Sequence, residues 1–353
     1  MPRSRTAPEA APPREAARGW FRHRLGAEEL RAWLTAFERA AIPVIPLKGP
    51  LLAEALYDDP GLRPFTDLDL LVRTRDVPRA VELLGTLGYR ALEWERPLAY
   101  ELAHATAACF VPAGPTTTSL PIDLHWGLVG FPAGATPRAF DAEEVWTRAV
   151  TEERWGRPIL QLCREDLLLY LALHLAVHHP LDGLPWQLDL ALLIRRGRRD
   201  FAWERVTERA RRWHAAGAAY FALRLVEDRF TAGVPVSVLA GLRPRGLRGA
   251  LLDGIGRRSG VNGGMDHLVD LLLLDRMPDL CRAVAAAVAP RPSWVRSRYA
   301  TSSAFRGYLA HFVRIGKILS RRRTCLRAEP LLQQALANLP TREKAAGEHA
   351  GVQ

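Results

Sequence analysis

The segment "IPLKGPLLAEALYDDPGLRPFTDLDLLV", from Ile45 to Val72, constrains the fold more than any other in this chain. A short apolar run breaks at Lys-Gly-Pro, and a second apolar run opens on two aspartates. Gly49 ends a strand without a side chain, and Pro50 suits the first turn of a helix. Backbone N–H groups at such a helix start favour anions, phosphates among them. The stretch therefore predicts strand, turn, helix and strand in close succession, the alternation of a small α/β unit.

Aspartate is a poor strand former, so two of them in "TDLDLLV" need a reason. In a strand, i and i+2 share a face, which puts Asp67 and Asp69 on one side and Leu68 and Leu70 on the other. The stretch "PIDLHW" repeats the pattern, with Asp123 and His125 on one face and Ile122, Leu124 and Trp126 opposite. If the two strands are neighbours, three carboxylates converge. Such a cluster repels itself and raises its own pKa values unless a cation neutralises it. Oxygen ligands of this kind suit Mg²⁺, which prefers a few carboxylates plus substrate phosphates. Lys48 is the only lysine in the first 316 residues of an arginine-rich chain, a demand for a compact ammonium that a phosphate contact would explain. The competing reading takes Asp-Leu-Asp as turn chemistry at a strand start and Asp123 as a solvent-facing residue.

Elsewhere, periodicity predicts a helix over Ala27–Ala40, a strand at "VIPL", a helix from near Pro50 and a helix over Val77–Leu87. Strands are expected at "YRALEW", "HATAACFV" and "LPIDLHWGL", the last two joined by the turn-rich "PAGPTTTS". From Arg164 onward the period becomes helical, as in "EDLLLYLALHLAVHH" and "WQLDLALLIRR". The expected organisation is an α/β domain over 18–150 with a small mixed sheet and flanking helices, then a mainly helical domain over 151–340. Residues 1–17 and 341–353 are polar and poorly patterned, and are expected to be disordered.

The 48% hydrophobic and 25% charged content allows a real core. The formal net charge is +11, but of 49 basic residues only Lys48, Lys317 and Lys344 are lysines. With so much Ala, Leu, Gly and Pro beside them, the arginines reflect compositional bias more than a polyanionic partner. Cys109, Cys163, Cys281 and Cys325 lie far apart, form no metal spacing and suit a reducing compartment. The N-terminus has no apolar run of the secretory kind, and Leu167–Val177 is too short to span a bilayer. A cytoplasmic protein without a transmembrane segment is expected.

Weaker signals remain. His174 and His178 are four apart on an expected helix, but zinc lacks a third ligand at motif spacing and the glutamate of HExxH. A packed or pocket-lining role suits them better. Asp189 in "WQLDLALL" either pairs with these histidines or faces an acceptor. His125 is either a contact near the metals or a structural hydrogen-bonding residue. Arg63 either steadies phosphate charge or is a loop arginine. Arg291–Arg327 carries ten basic residues, no acidic one, and Trp294, Tyr299, Phe305, Tyr308 and Phe312 between them. That composition fits nucleic acid or anionic lipid, but an ordinary solvated helix pair suits it as well.

The stretch "LKGPLLAEALYDDPGLRPFTDLDLLV", with "AVELLGTLGY" and "IDLHW" after it, resembles the uncharacterised nucleotidyltransferase family of the polymerase-beta-type superfamily. That superfamily carries a Gly-Gly or Gly-Ser turn after an apolar strand, a downstream Asp-x-Asp/Glu, and a third carboxylate on a later strand. Gly49, the pair Asp67 and Asp69, and Asp123 match these positions. The segments "LHLAVHH" and "LPWQLDLALLI" resemble the family's helical half, so the likeness runs from about residue 30 to beyond 200. Pro50 departs from the pattern, and a serine hydroxyl on the triphosphate is missing. The resemblance implies transfer of a nucleoside monophosphate from an NTP to an acceptor, with pyrophosphate release and two Mg²⁺ or Mn²⁺ ions. Asp67 and Asp69 would hold the metals, and Asp123 would complete the acceptor-side metal. Lys48, Gly49 and Arg63 would face the phosphates. The acceptor is left open among a small molecule, a peptide, a saccharide, RNA or a protein. The alternative is a catalytically inactive nucleotide- or nucleic-acid-binding module on the same fold.

Overall fold

The computed structural model of the chain describes residues 14–92, 98–114, 119–130, 142–179, 183–197, 200–257, 266–290 and 292–320. The chain divides into two compact units, one ending at Ala287 and one beginning at Val288. In the first, α1 (Arg14–Arg39) leads to β1 (Val44–Pro46), α2 (Gly49–Leu56), β2 (Leu68–Val72), α3 (Val77–Thr86) and β3 (Tyr89–Ala91). There follow α4 (Leu98–His104), β4 (Ala107–Pro112), β5 (Ile122–His125), α5 (Ala142–Arg148), β6 (Val150–Arg154) and β7 (Arg157–Gln161). A run of helices completes it: α6 (Arg164–His178), α7 (Leu184–Gly197), α8 (Trp203–Arg212), α9 (Ala216–Phe230), α10 (Val236–Leu242), α11 (Gly246–Arg257), α12 (Asp266–Leu273) and α13 (Met277–Val288). The second unit contains α14 (Pro292–Arg298) and α15 (Ala304–Ser320).

The result is a mixed α/β fold with a helical C-terminal region, as the periodicity predicts. The sheet has five strands in the order β1-β2-β5-β4-β3, and only the β2–β5 pair is parallel. β1 lies at the edge, where Pro46 costs no ladder donor that a neighbour needs. β2 lies inside the sheet, and all five of its residues are buried, which explains an apolar run instead of alternation. Leu68, Leu70 and Val72 join Leu30, Trp33, Leu34 and Phe37 of α1 in one core. Leu71 faces the other way, into a core with Tyr170 and Leu173 of α6 and Leu190 and Ile194 of α7. The helices after residue 164 therefore cover the sheet face that also carries Asp69.

Three local outcomes differ from the sequence expectations. β2 begins at Leu68, so Asp67 precedes the strand instead of opening it. α1 begins at Arg14, well before Ala27 and within the stretch expected to be disordered. The β6–β7 hairpin, α4 and α5 carry no assignment in the sequence reading. The hairpin turns on Trp155 and Gly156, both at positive φ (55° and 72°), the backbone of a type I′ turn. Tryptophan in place of the usual Asn or Asp hid that signal. The change of pattern near residue 150 lies within the first unit. The first 13 residues, the turn residues 115–118, Arg291 and residues 321–353 lie outside the described residues. No described helix is long and apolar enough to cross a membrane.

Candidate active site

The parallel pairing of β2 and β5 sets Asp69 opposite Asp123 and Leu71 opposite His125. Alternation then puts Asp69, Asp123 and His125 on one face of the sheet. One ligand atom from each of the three lies within 4.8 Å of the others. No other such group of metal-ligating side chains occurs among the described residues, so His174 and His178 form no second centre. Asp67, two residues ahead of Asp69, is half-buried beside the cluster. Its carboxyl is pushed up to about 6, first by burial and then by the charges of Asp69 and Asp123, against the pull of Lys48 and His125.

Asp69 behaves in the opposite way. Burial alone would raise it, but the Lys48 ammonium and the hydrogen-bonded His125 outweigh burial and hold it well below the usual carboxylate range. Lys48 Nζ lies 3.0 Å from Asp69 Oδ1, and His125 Nε2 lies 3.3 Å from the same oxygen. Lys48 is itself buried, at 9% exposure. The chain reaches this position by continuing the β1 ladder one step: Leu47 N–H donates to the Asp69 carbonyl at 3.0 Å.

Gly49 follows at φ 67°, where an L side chain is strained whatever the space around it. An added Cβ would meet Leu68 only at ordinary van der Waals distance, so backbone conformation is the reason for glycine here. Pro50 takes the first turn of α2, as expected for a residue with no N–H to leave unsatisfied.

Helix α6 closes over this face. Lys48 Nζ donates to His174 Nε2 at 2.9 Å and sits 5.7 Å from the Tyr170 ring centre. Burial first, and the Lys48 charge second, keep the His174 pKa well below its ordinary value, so the imidazole stays neutral and accepts. His174 Nδ1 is buried without a hydrogen-bond partner. The ring lies 5.2 Å from His178 and 5.2 Å from His179, which stacks on Trp186 of α7. His178 is exposed at the end of the helix.

Arg63 and Asp189 are brought together, although 126 residues separate them. Arg63 Nε and Nη2 donate to the Asp189 carboxylate at 2.8–3.0 Å, and Nη1 reaches the Gly49 carbonyl at 3.5 Å. Tyr57 O–H donates to Asp189 at 2.8 Å. Asp189 thus meets Arg63 and Tyr57, not the histidines with which the sequence reading offered to pair it. Arg63 is 6% exposed, and its guanidinium braces the Gly49 turn through the Gly49 carbonyl. The sequence reading also missed Tyr170 and Tyr57. Tyr170 could have been found from its spacing, one helical turn before His174; Tyr57 gives no local signal, because its partner lies on α7.

Of the basic aromatic segment Arg291–Arg327, residues 292–320 are described, and they form the helix pair α14–α15. Tyr308 and Phe312 stack at 6.5 Å, and Phe305 is 77% exposed.

With that geometry in view, the family described as "uncharacterised nucleotidyltransferase" matches residues 15–231, more than half of the chain. No curated protein and no solved structure matches it.

Proposed function

The chain belongs to that nucleotidyltransferase family, and from this premise we propose that it transfers a nucleoside monophosphate from an NTP to an acceptor hydroxyl and releases pyrophosphate. The observation that carries the reading is the register of the parallel pair, which aligns Asp69 with Asp123 and leaves Asp67 beside both. A divalent cation, Mg²⁺ or Mn²⁺, fits this donor set: the aspartates repel one another, and the donor atoms of Asp69, Asp123 and His125 lie within 4.8 Å of one another. Bound there, the cation would supply charge neutralisation for the phosphates and activation of the acceptor oxygen.

The chain's own residues do the rest by positioning, which dominates phosphoryl-transfer catalysis. Asp69 and Asp123 are fixed by two strands of one sheet and cannot drift apart. Asp67 is more exposed than Asp69 and is placed to meet what the substrate brings. The Gly49 turn is held by Arg63 at the start of α2, and a helix start of this kind favours phosphate oxygens. Lys48 keeps Asp69 ionised, and His125 completes the donor set on the same face.

A second reading has one observation in its favour. Lys48 already neutralises Asp69, and Pro50 stands where a triphosphate-binding serine would be, which suits a nucleotide-binding module without turnover. One experiment separates the two. Purified protein with Mn²⁺ or Mg²⁺ and each NTP is incubated with cell extract, while pyrophosphate and acceptor adducts are followed by mass spectrometry. The enzyme reading expects pyrophosphate and an adduct, both lost by at least 10²-fold in Asp69→Asn. Saturable NTP binding with no pyrophosphate under any condition transfers the case to the binding module.

A further inference from the structure

On the nucleotidyl-transfer reading of this site, charge and geometry fix how many cations the resting protein holds. Asp67, Asp69 and Asp123 bring three negative charges to one face, and Lys48 already returns one positive charge among them. The ammonium is not a surface group swinging past. It is buried, in contact with Asp69 Oδ1 at 3.0 Å and gripped from behind by His174 Nε2 at 2.9 Å. Leu47, its chain neighbour, is pinned to the Asp69 carbonyl.

The remaining charge equals that of one divalent ion. Two divalent ions without a nucleotide would leave net positive charge in a desolvated pocket, which is costly unless it is paired.

Geometry points the same way. The donors of Asp69, Asp123 and His125 lie within 4.8 Å of one another, within a small side-chain adjustment of the ~4.2 Å that separates opposite ligands on an ion with bonds of about 2.1 Å. His125 has one ring nitrogen near Asp69, and its other nitrogen, Nδ1, is buried without a partner. A ring tied down by no second hydrogen bond can turn a nitrogen lone pair to a cation. We infer that the resting protein takes one divalent cation, on Asp69, Asp123 and His125, with the Lys48 ammonium standing in for a second. Any further cation enters only with the triphosphate, through Asp67. An imidazole in the donor set also shifts preference from Mg²⁺ toward Mn²⁺ and later transition ions.

The test uses full-length protein without nucleotide. Mn²⁺ is titrated and its free concentration read by electron paramagnetic resonance, with pulsed measurements on the bound ion. The expected result is one Mn²⁺ per chain with a ¹⁴N modulation from imidazole. His125→Gln loses that modulation and weakens Mn²⁺ at least tenfold, whereas Lys48→Met takes up a second ion. Two ions on the unaltered protein, none at all, or a bound ion without nitrogen coupling overturns the inference with no variant needed. Lys48→Met that folds, by circular dichroism, and still binds one ion overturns the role given to Lys48. Failure here is distinct from failure of the enzyme reading. An inert protein holding one nitrogen-ligated ion keeps the inference, and an active one holding two keeps only the transferase.

Discussion

At the scale of single residues, the two aspartates of "DLD" show how environment splits identical side chains. Both are partly or wholly desolvated, which raises a carboxyl pKa. Asp69 escapes because Lys48 and His125 contact it; Asp67 has no such contact and feels mainly burial and its acidic neighbours. The consequence for stability has a definite sign. The folded Asp67 carboxyl keeps its proton up to about 6, while the unfolded one releases it near 3.8. Between those values the native state binds more protons, so the stabilisation is full below 3.8 and is lost as pH rises through about 6. Asp69 works the other way: its stabilisation is fully present above the ordinary carboxylate pKa and is lost only as pH falls below it. His174, His178 and His179, held below their ordinary pKa first by burial, push the melt the other way over this range, so the Asp67 share is read as a difference. In chelator, the unaltered protein is expected to lose on the order of several °C across that window relative to Asp67→Asn, and Mn²⁺ should remove the difference. Parallel melts of the two proteins over the window would contradict the placement of Asp67.

At the scale of elements, ion pairs between distant segments set the site's rigidity. Arg63 precedes β2 and Asp189 belongs to α7; their buried pair holds the Gly49 turn and α7 against each other. Breaking it with Asp189→Ala strands a buried guanidinium and should cost about 3–5 kcal/mol in urea unfolding. The paired replacement Arg63→Met/Asp189→Leu should recover much of that stability but loosen NTP binding, because Gly49 loses its brace. A second buried node acts as control. Asp166 on α6 accepts from Arg148 of α5 and Arg209 of α8, far from the carboxylates in the chain. Asp166→Ala should destabilise by a similar amount, about 3–5 kcal/mol, and leave the metal affinity of the folded protein unchanged. These pairs also explain what the sequence could and could not reveal. Strand alternation is a local signal, so Asp69, Asp123 and His125 were readable as one face from five or six residues each. The Arg63–Asp189 and Lys48–His174 contacts both cross 126 residues, and nothing within one element announces them. The β6–β7 hairpin was missed for a local reason, the tryptophan in its turn.

At the scale of the whole molecule, charge and site belong to different units. Residues 288–353 carry twelve basic and three acidic side chains, hence nine of the eleven net positive charges, although they make up less than a fifth of the chain. Compositional bias toward arginine accounts for the choice of arginine over lysine. It does not account for that imbalance, because bias acting on the whole chain would spread the charge along it. The site residues from Lys48 to Asp189, by contrast, all lie in the first unit, as does the family match. Polyanion affinity and nucleotide chemistry should therefore separate on truncation. A chain ending at Ala287 is expected to melt cooperatively and to bind Mn²⁺ and NTP within about twofold of the full-length protein. Its affinity for single-stranded RNA in low salt should drop at least tenfold, and the full-length protein's RNA affinity should fall steeply as salt is added. Fluorescence anisotropy at several salt concentrations measures both. If RNA affinity survives the truncation with its salt slope intact, the positive field comes from the nucleotidyltransferase-like unit, and RNA becomes a candidate for its acceptor.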